Sequence, residues 1–163
     1  MFSKLFVLCV VVAVAHGYSS GAPVDPEVCE TLTPKHPASP QKRGSPYRIE
    51  LDKTVVVPLE NVGVTISSDA DAFKGFIIQG RKEGENAPQG KFLTGKNPDV
   101  QSLSCGSDGS TVTHTSSTDK YNINLQWQAP REPGKYVILT TFVQSGKVFW
   151  VALPSPTISV VKG

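Results

Sequence analysis

The sequence predicts an all-β sandwich of about eight or nine short strands, entered through an irregular N-terminal arm that a disulfide tethers to it. Three observations carry this prediction. From residue 47 onward, short apolar runs alternate with turn residues. At Ile123-Asn124-Leu125-Gln126-Trp127-Gln128 the alternation of apolar and polar residues is strict. No window shows a sustained apolar period of 3.6 residues.

The chain opens with a different texture. Lys4 precedes a run from residue 5 to 15 that is apolar apart from Cys9, and Ala15-His16-Gly17 follows with small residues where a signal peptidase would cut. That run falls well short of the roughly twenty apolar residues a helix needs to cross a bilayer. Residues 1–17 are therefore expected to be a secretory signal peptide, and the rest a secreted chain with no membrane span. Removing those 17 of 163 residues leaves 146, which fits one domain, 18–163. The formal charge is +2, and +1 without Lys4, a balance that gives no nucleic-acid footprint.

Cys9 departs with the leader, so Cys29 and Cys105 remain. In an oxidising compartment two cysteines read as one disulfide, the alternatives being two free thiols or pairing with another chain. No Asn-x-Ser/Thr acceptor for N-glycosylation occurs.

Residues 18–46 hold Pro23, Pro26, Pro34, Pro37, Pro40 and Pro46. Proline removes ladder donors and restricts its neighbours, so this stretch is expected to be an irregular arm, neither helix nor strand. A bond from Cys29 would fasten it to the body. Strands are expected over 47–51, 54–59, 62–67, 73–80, 111–114, 123–128, 136–143 and 148–152. Asp108-Gly109 and Ser145-Gly146 mark turns, and 129–134, with two prolines, cannot be strand interior. No tryptophan lies between Cys29 and Cys105, so their bond would not be the inter-sheet pin of an antibody domain.

Catalytic and metal patterns are sparse. His36 and His114 stand in dissimilar contexts, without His-Glu-x-x-His or paired Cys-x-x-Cys. His114 reads as a structural side chain donating to nearby backbone. Gly90-Lys91-Phe92-Leu93-Thr94-Gly95-Lys96-Asn97 imitates a phosphate loop, but Asn97 stands where Ser or Thr would hold magnesium and Pro98 blocks the helix that should follow. Asp69 and Asp71 lack the surrounding pattern of a calcium loop. No enzyme, cofactor or metal site is expected. Basic residues recur near turns: Lys35, Lys42, Arg43, Arg131 and Lys135, and above all Lys74, Arg81, Lys82, Lys91 and Lys96. Gathered on one rim, the last five would hold an anionic polymer; scattered among the acids they are an ordinary solvated surface.

Several short strings together resemble the reeler (reelin N-terminal) domain. They are the stretch 18–23, Cys29, Leu32-Thr33-Pro34-Lys35-His36, the stretch 73–81, Gly90-Lys91-Phe92, Cys105, Val112-Thr113-His114, Trp127-Gln128-Ala129-Pro130 and Phe149-Trp150-Val151. The resemblance implies an immunoglobulin-like β-sandwich and a Cys29–Cys105 bond. Gly80, where the family more often carries Ala, reads as a conservative departure. Phe73, Phe76, Ile78, Trp127 and Trp150 are expected in the core, and Gly75 is expected to admit a neighbouring strand.

A chain of this length behind a leader is similar to small secreted insect defence proteins. That similarity implies an innate-immune, antibacterial role in haemolymph, with binding to microbial surface polymers (lipopolysaccharide, teichoic acid, β-glucan) and haemocyte aggregation or nodulation. The alternative is an adhesion or matrix module that binds glycosaminoglycan. With neither high charge nor an amphipathic helix, recognition is expected rather than lysis.

Overall fold

The computed structural model describes residues 19–163; the expected leader lies outside them. Two sheets face each other. The smaller is ordered β1 (Tyr47–Leu51), β3 (Asn61–Ser68), β8 (Asn122–Gln128), β5 (Lys91–Leu93). The larger runs β2 (Val55–Val56), β11 (Ile158–Val160), β9 (Gly134–Ser145), β4 (Gly75–Lys82), β7 (Thr111–His114), β6 (Val100–Ser102). β10 (Val148–Pro154) also pairs with β9, giving eleven strands among the described residues. All pairings are antiparallel except β2 with β11. β9 organises the larger sheet: β4 takes one of its edges, while β10 and β11 divide the other.

The strict alternation in β8 does what its period requires. Ile123, Leu125 and Trp127 are buried, while Asn122, Asn124 and Gln126 face water. Val62, Val64 and Ile66 of β3 and Phe76, Ile78, Ile138 and Phe142 of the opposite sheet complete the core. Tyr47 stacks on Phe142 at 4.8 Å and meets the edges of Phe73 and Trp150 at 5.6 and 5.4 Å. Phe73, Phe76, Trp127 and Trp150 of the matched strings are thus core residues. β5, β6 and β11, three residues each, are the strands missing from the expected set, because a run that short shows too little alternation to detect.

The arm departs from the expectation of irregular chain throughout. Pro26–Thr31 form a short helix, α1. The Asp25 carboxylate accepts from the Glu27 and Val28 N–H groups, Pro26 occupies the first turn, and Leu32 closes the helix in the left-handed region at φ 56°. Proline breaks helix and strand interiors, yet its fixed φ suits a helix start, where no N–H is needed. Val28 and Leu32 pack on Ile77 of β4. β4 is therefore buried on both faces from Gly75 to Arg81.

A second departure concerns Gly80. Trp127 is fully buried between Gly80 and Gly90, and its indole N–H donates to the Gln89 carbonyl at 3.2 Å. A Cβ on Gly80 would lie 2.4 Å from Trp127 Nε1, and one on Gly90 2.4 Å from Cε2. Gly90 also has φ +71°, which L side chains adopt at a cost. Alanine at position 80 is consequently not conservative in this chain. Gly75 likewise makes room for the ring of His114 on the neighbouring strand β7, 2.8 Å from where a Cβ would stand.

Candidate functional site

Local sequence dictates how the arm docks. Thr111 and Thr113 alternate on β7, with Gln79 on β4 beside them, and turn polar groups toward the arm instead of apolar ones. The Thr113 hydroxyl accepts from Ala22 N–H at 3.0 Å, and Thr141 donates to the Leu32 carbonyl at 2.7 Å. Gln101 donates to the Ser20 carbonyl at 2.6 Å. Arg81, only 6% exposed, donates to the carbonyls of Cys29 at 3.1 Å and Glu30 at 2.6 Å. Cys29 is also bonded through its sulfur to Cys105, with Cα atoms 5.3 Å apart. The Ala22 N–H and the carbonyls of Ser20, Cys29, Glu30 and Leu32 are thereby satisfied against the sheet, as burial demands.

This docking leaves a cavity of about 260 Å³, partly open to solvent. The arm supplies one wall through Ser19, Gly21, Ala22 and Pro23, and again through Pro34, Lys35 and His36. The sheet supplies the other through residues 74–77 and His114. The β9–β10 turn closes one end with Val143, Ser145 and Gly146. The lining is mainly apolar and contains no carboxylate.

His36 and His114 stand in dissimilar sequence contexts, yet the fold brings both to this cavity. His114 Nδ1 lies 3.2 Å from the Phe76 amide nitrogen, 3.3 Å from the Phe76 carbonyl oxygen and 3.2 Å from the Thr113 hydroxyl, so the ring meets neighbouring backbone and its tautomer sets which way each bond runs. His36 meets the Phe149 ring edge-on at 5.4 Å, and its buried Nδ1 has no hydrogen-bond partner. Burial holds its imidazole below the ordinary histidine pKa, which favours the neutral ring. Lys35 pairs with Asp25 at 2.5 Å, whereas Lys74 reaches Asp119 only at 3.9 Å. Both lysine side chains are about half exposed, 46% and 54%, so their stems lie on the cavity wall and their ammonium groups meet water.

The five basic residues singled out from sequence do not form one rim. Arg81 is buried and its donors are engaged by the arm, so it offers no surface charge to a polyanion. Lys74 and Lys82 bracket β4, roughly 26 Å apart along an extended strand. Lys82 pairs with Glu132 at 2.5 Å and Lys91 with Asp108 at 2.9 Å. Lys96 sits exposed in the turn after β5. Among the described residues no group of three or more His, Cys, Asp or Glu is placed to hold a metal ion, and no helix is long and apolar enough to cross a membrane.

Residues 27–163 match the Reeler domain family. The chain belongs to that family. As a reeler domain it is similar over 99% of both chains, at 34% identity, to "Putative defense protein Hdd11" of Hyphantria cunea. It is 33% identical to "Defense protein l(2)34Fc" of Drosophila melanogaster, covering 96% of this chain and 98% of that one. It also matches "Ferric-chelate reductase 1" of Mus musculus at 34% identity, but there spans only 23% of the longer protein. The human F-spondin reeler domain shares the fold with a TM-score of 0.65 at 17% identity, over 76% of this chain and 94% of that one. The reeler strings have visible physical roles here: 73–81 carries most of the doubly buried strand β4, Val112-Thr113-His114 receives the arm, and Gly90 and Trp127 interlock.

Proposed function

We propose that this reeler domain is an extracellular, non-enzymatic defence protein that recognises microbial surface polymers such as lipopolysaccharide, teichoic acid or β-glucan, and so promotes haemocyte aggregation. The observation that carries the reading is the cavity between arm and sheet, a built concave site in a chain similar from end to end to proteins named for defence. Binding rather than catalysis suits it, because no carboxylate lines the cavity to orient either histidine as a general base. The Cys29–Cys105 bond suits an oxidising, extracellular setting. The burial of Arg81 and the separation of Lys74 from Lys82 along β4 weigh against a glycosaminoglycan module held by one basic rim.

The test is co-sedimentation of the purified protein with washed bacteria and yeast at physiological salt, alongside a haemocyte aggregation assay. Lipopolysaccharide, lipoteichoic acid, β-glucan and heparin serve as competitors. Retention competed by a microbial polymer and not by heparin, with aggregation of haemocytes, is the expected result. No retention, or retention abolished by heparin, overturns the reading.

A further inference from the structure

We infer that the arm–sheet cavity takes the apolar tail of an anionic amphiphile, an alkyl chain of roughly ten carbons that carries a carboxylate or phosphate head. This rests on the reading of the cavity as the recognition site and names the chemistry that site selects. A cavity of about 150 Å³ accommodates a benzene ring, so 260 Å³ scales to about ten carbon atoms. The wall that would receive such a chain is made of Ala22, Pro23, Pro34, Ile77 and Val143. His36 adds a ring that burial keeps on the neutral side, so the interior opposes an apolar tail with no charge.

The cavity is open on one side, which requires the outer end of the ligand to be wet and polar. The sign of that end follows from the rim. Lys35 and Lys74 are the charged residues of the lining, and no aspartate or glutamate joins them. The nearby acids, Asp25, Glu27 and Asp119, pair with these lysines from outside the lining. Lys74 and Asp119, 3.9 Å apart and both more than half exposed, make a pair that an arriving carboxylate or phosphate displaces at little cost. A free fatty acid and the acyl chain of a lipid both present this chemistry.

A bound tail would touch arm and sheet at once. Occupancy therefore stabilises the docked arm, and the melting temperature rises with ligand concentration. Two substitutions separate the tail from the head. At Gly146 a Cβ meets nothing within 4 Å and φ lies outside the left-handed region, so Gly146→Trp is tolerated by the turn and obstructs the opening. Lys74→Glu reverses the rim charge at an exposed position.

The experiment is calorimetric titration of the purified protein with decanoate, 1-decanol and decyltrimethylammonium below their micelle concentrations. Decanoate is expected to bind at one site, more tightly than decanol, with the cation weakest. Gly146→Trp should abolish binding. Lys74→Glu should weaken decanoate about fivefold, an attraction lost and a repulsion of like size gained, and leave decanol unchanged. Competition by intact but not deacylated lipopolysaccharide would place the chain on a lipid, and competition by neither would leave a free fatty acid; both keep the inference. Absence of decanoate binding, or binding indifferent to Gly146→Trp, overturns it. If cells are still retained in the sedimentation assay, microbial recognition stands and only the amphiphile is lost.

Discussion

Gly80→Ala tests the packing of this fold with a single added methyl group. The new Cβ would lie 2.4 Å from Trp127 Nε1, 2.8 Å from Cε2 and 2.7 Å from the Gln89 carbonyl oxygen, whereas ordinary contacts begin near 3.4 Å. The indole must retreat by about 1 Å, and the backbone of Gly90 closes its other side. Overpacking of this kind costs about 1–3 kcal/mol, and loss of the Trp127–Gln89 hydrogen bond adds about 1. Replacing a strand glycine returns roughly 0.5–1 kcal/mol of chain entropy. The net loss is about 2 kcal/mol, which in a chain of this size lowers Tm by about 4–8 °C. Urea titration followed by tryptophan fluorescence, with calorimetry in parallel, measures it. Combining Gly80→Ala with Trp127→Phe should cost less than the sum of the two single changes by about 1 kcal/mol, since the smaller ring frees the space. A Gly80→Ala protein as stable as the parent, or additive with Trp127→Phe, refutes the interlocking.

Other perturbations address the arm and its histidine. Arg81→Met removes the donors to the Cys29 and Glu30 carbonyls, and trypsin should cleave the arm at Lys35, Lys42 and Arg43 several-fold faster; unchanged cleavage would show that Arg81 does not pin it. Reducing Cys29–Cys105 opens a link across 76 positions of sequence and should cost about 4.5 kcal/mol in the chain-entropy account, read as a fall in the urea midpoint. Burial depresses the folded pKa of His36, so below its unfolded value of about 6.5 the unfolded chain binds more protons and stability falls with pH until the folded pKa is passed. His36→Phe should flatten that slope between about pH 7 and 5, and an identical slope in both proteins would count against a depressed pKa.

How much was legible depended on repetition. β1 and β7 match the expected spans, and β8 is longer by one residue, because four to seven residues of alternation or β-branched texture state a period unmistakably. β5 and β6 hold three residues each, and pairing with neighbours rather than their own pattern makes them strands. The Asp25-Pro26 start of α1 was present in the sequence but outweighed by the prolines around it. The cavity was harder still. His36 and His114 are 78 positions apart, and nothing local says that the arm folds back over β4 to bring them to one opening. The same holds for Arg81, which sequence could only read as one more surface cation; its burial follows from two carbonyls more than fifty residues upstream.

The cystine also fixes how the molecule transmits force. A pull applied to residues 19 and 163 travels along the arm to Cys29, crosses the sulfur bridge, and re-enters the chain at Cys105. Strands β1 to β6 lie inside the spanned loop, off the covalent path of the load, and cannot be drawn out while the bond holds. The bridge withholds roughly 250 Å of possible extension, at about 3.3 Å for each of its 76 steps. Load falls instead on β7 to β11, and the first ladders to shear are those joining β11 to β9 and β2. Dragged between two cells, the protein would fray at its C-terminal strand while the β1–β6 loop stayed closed.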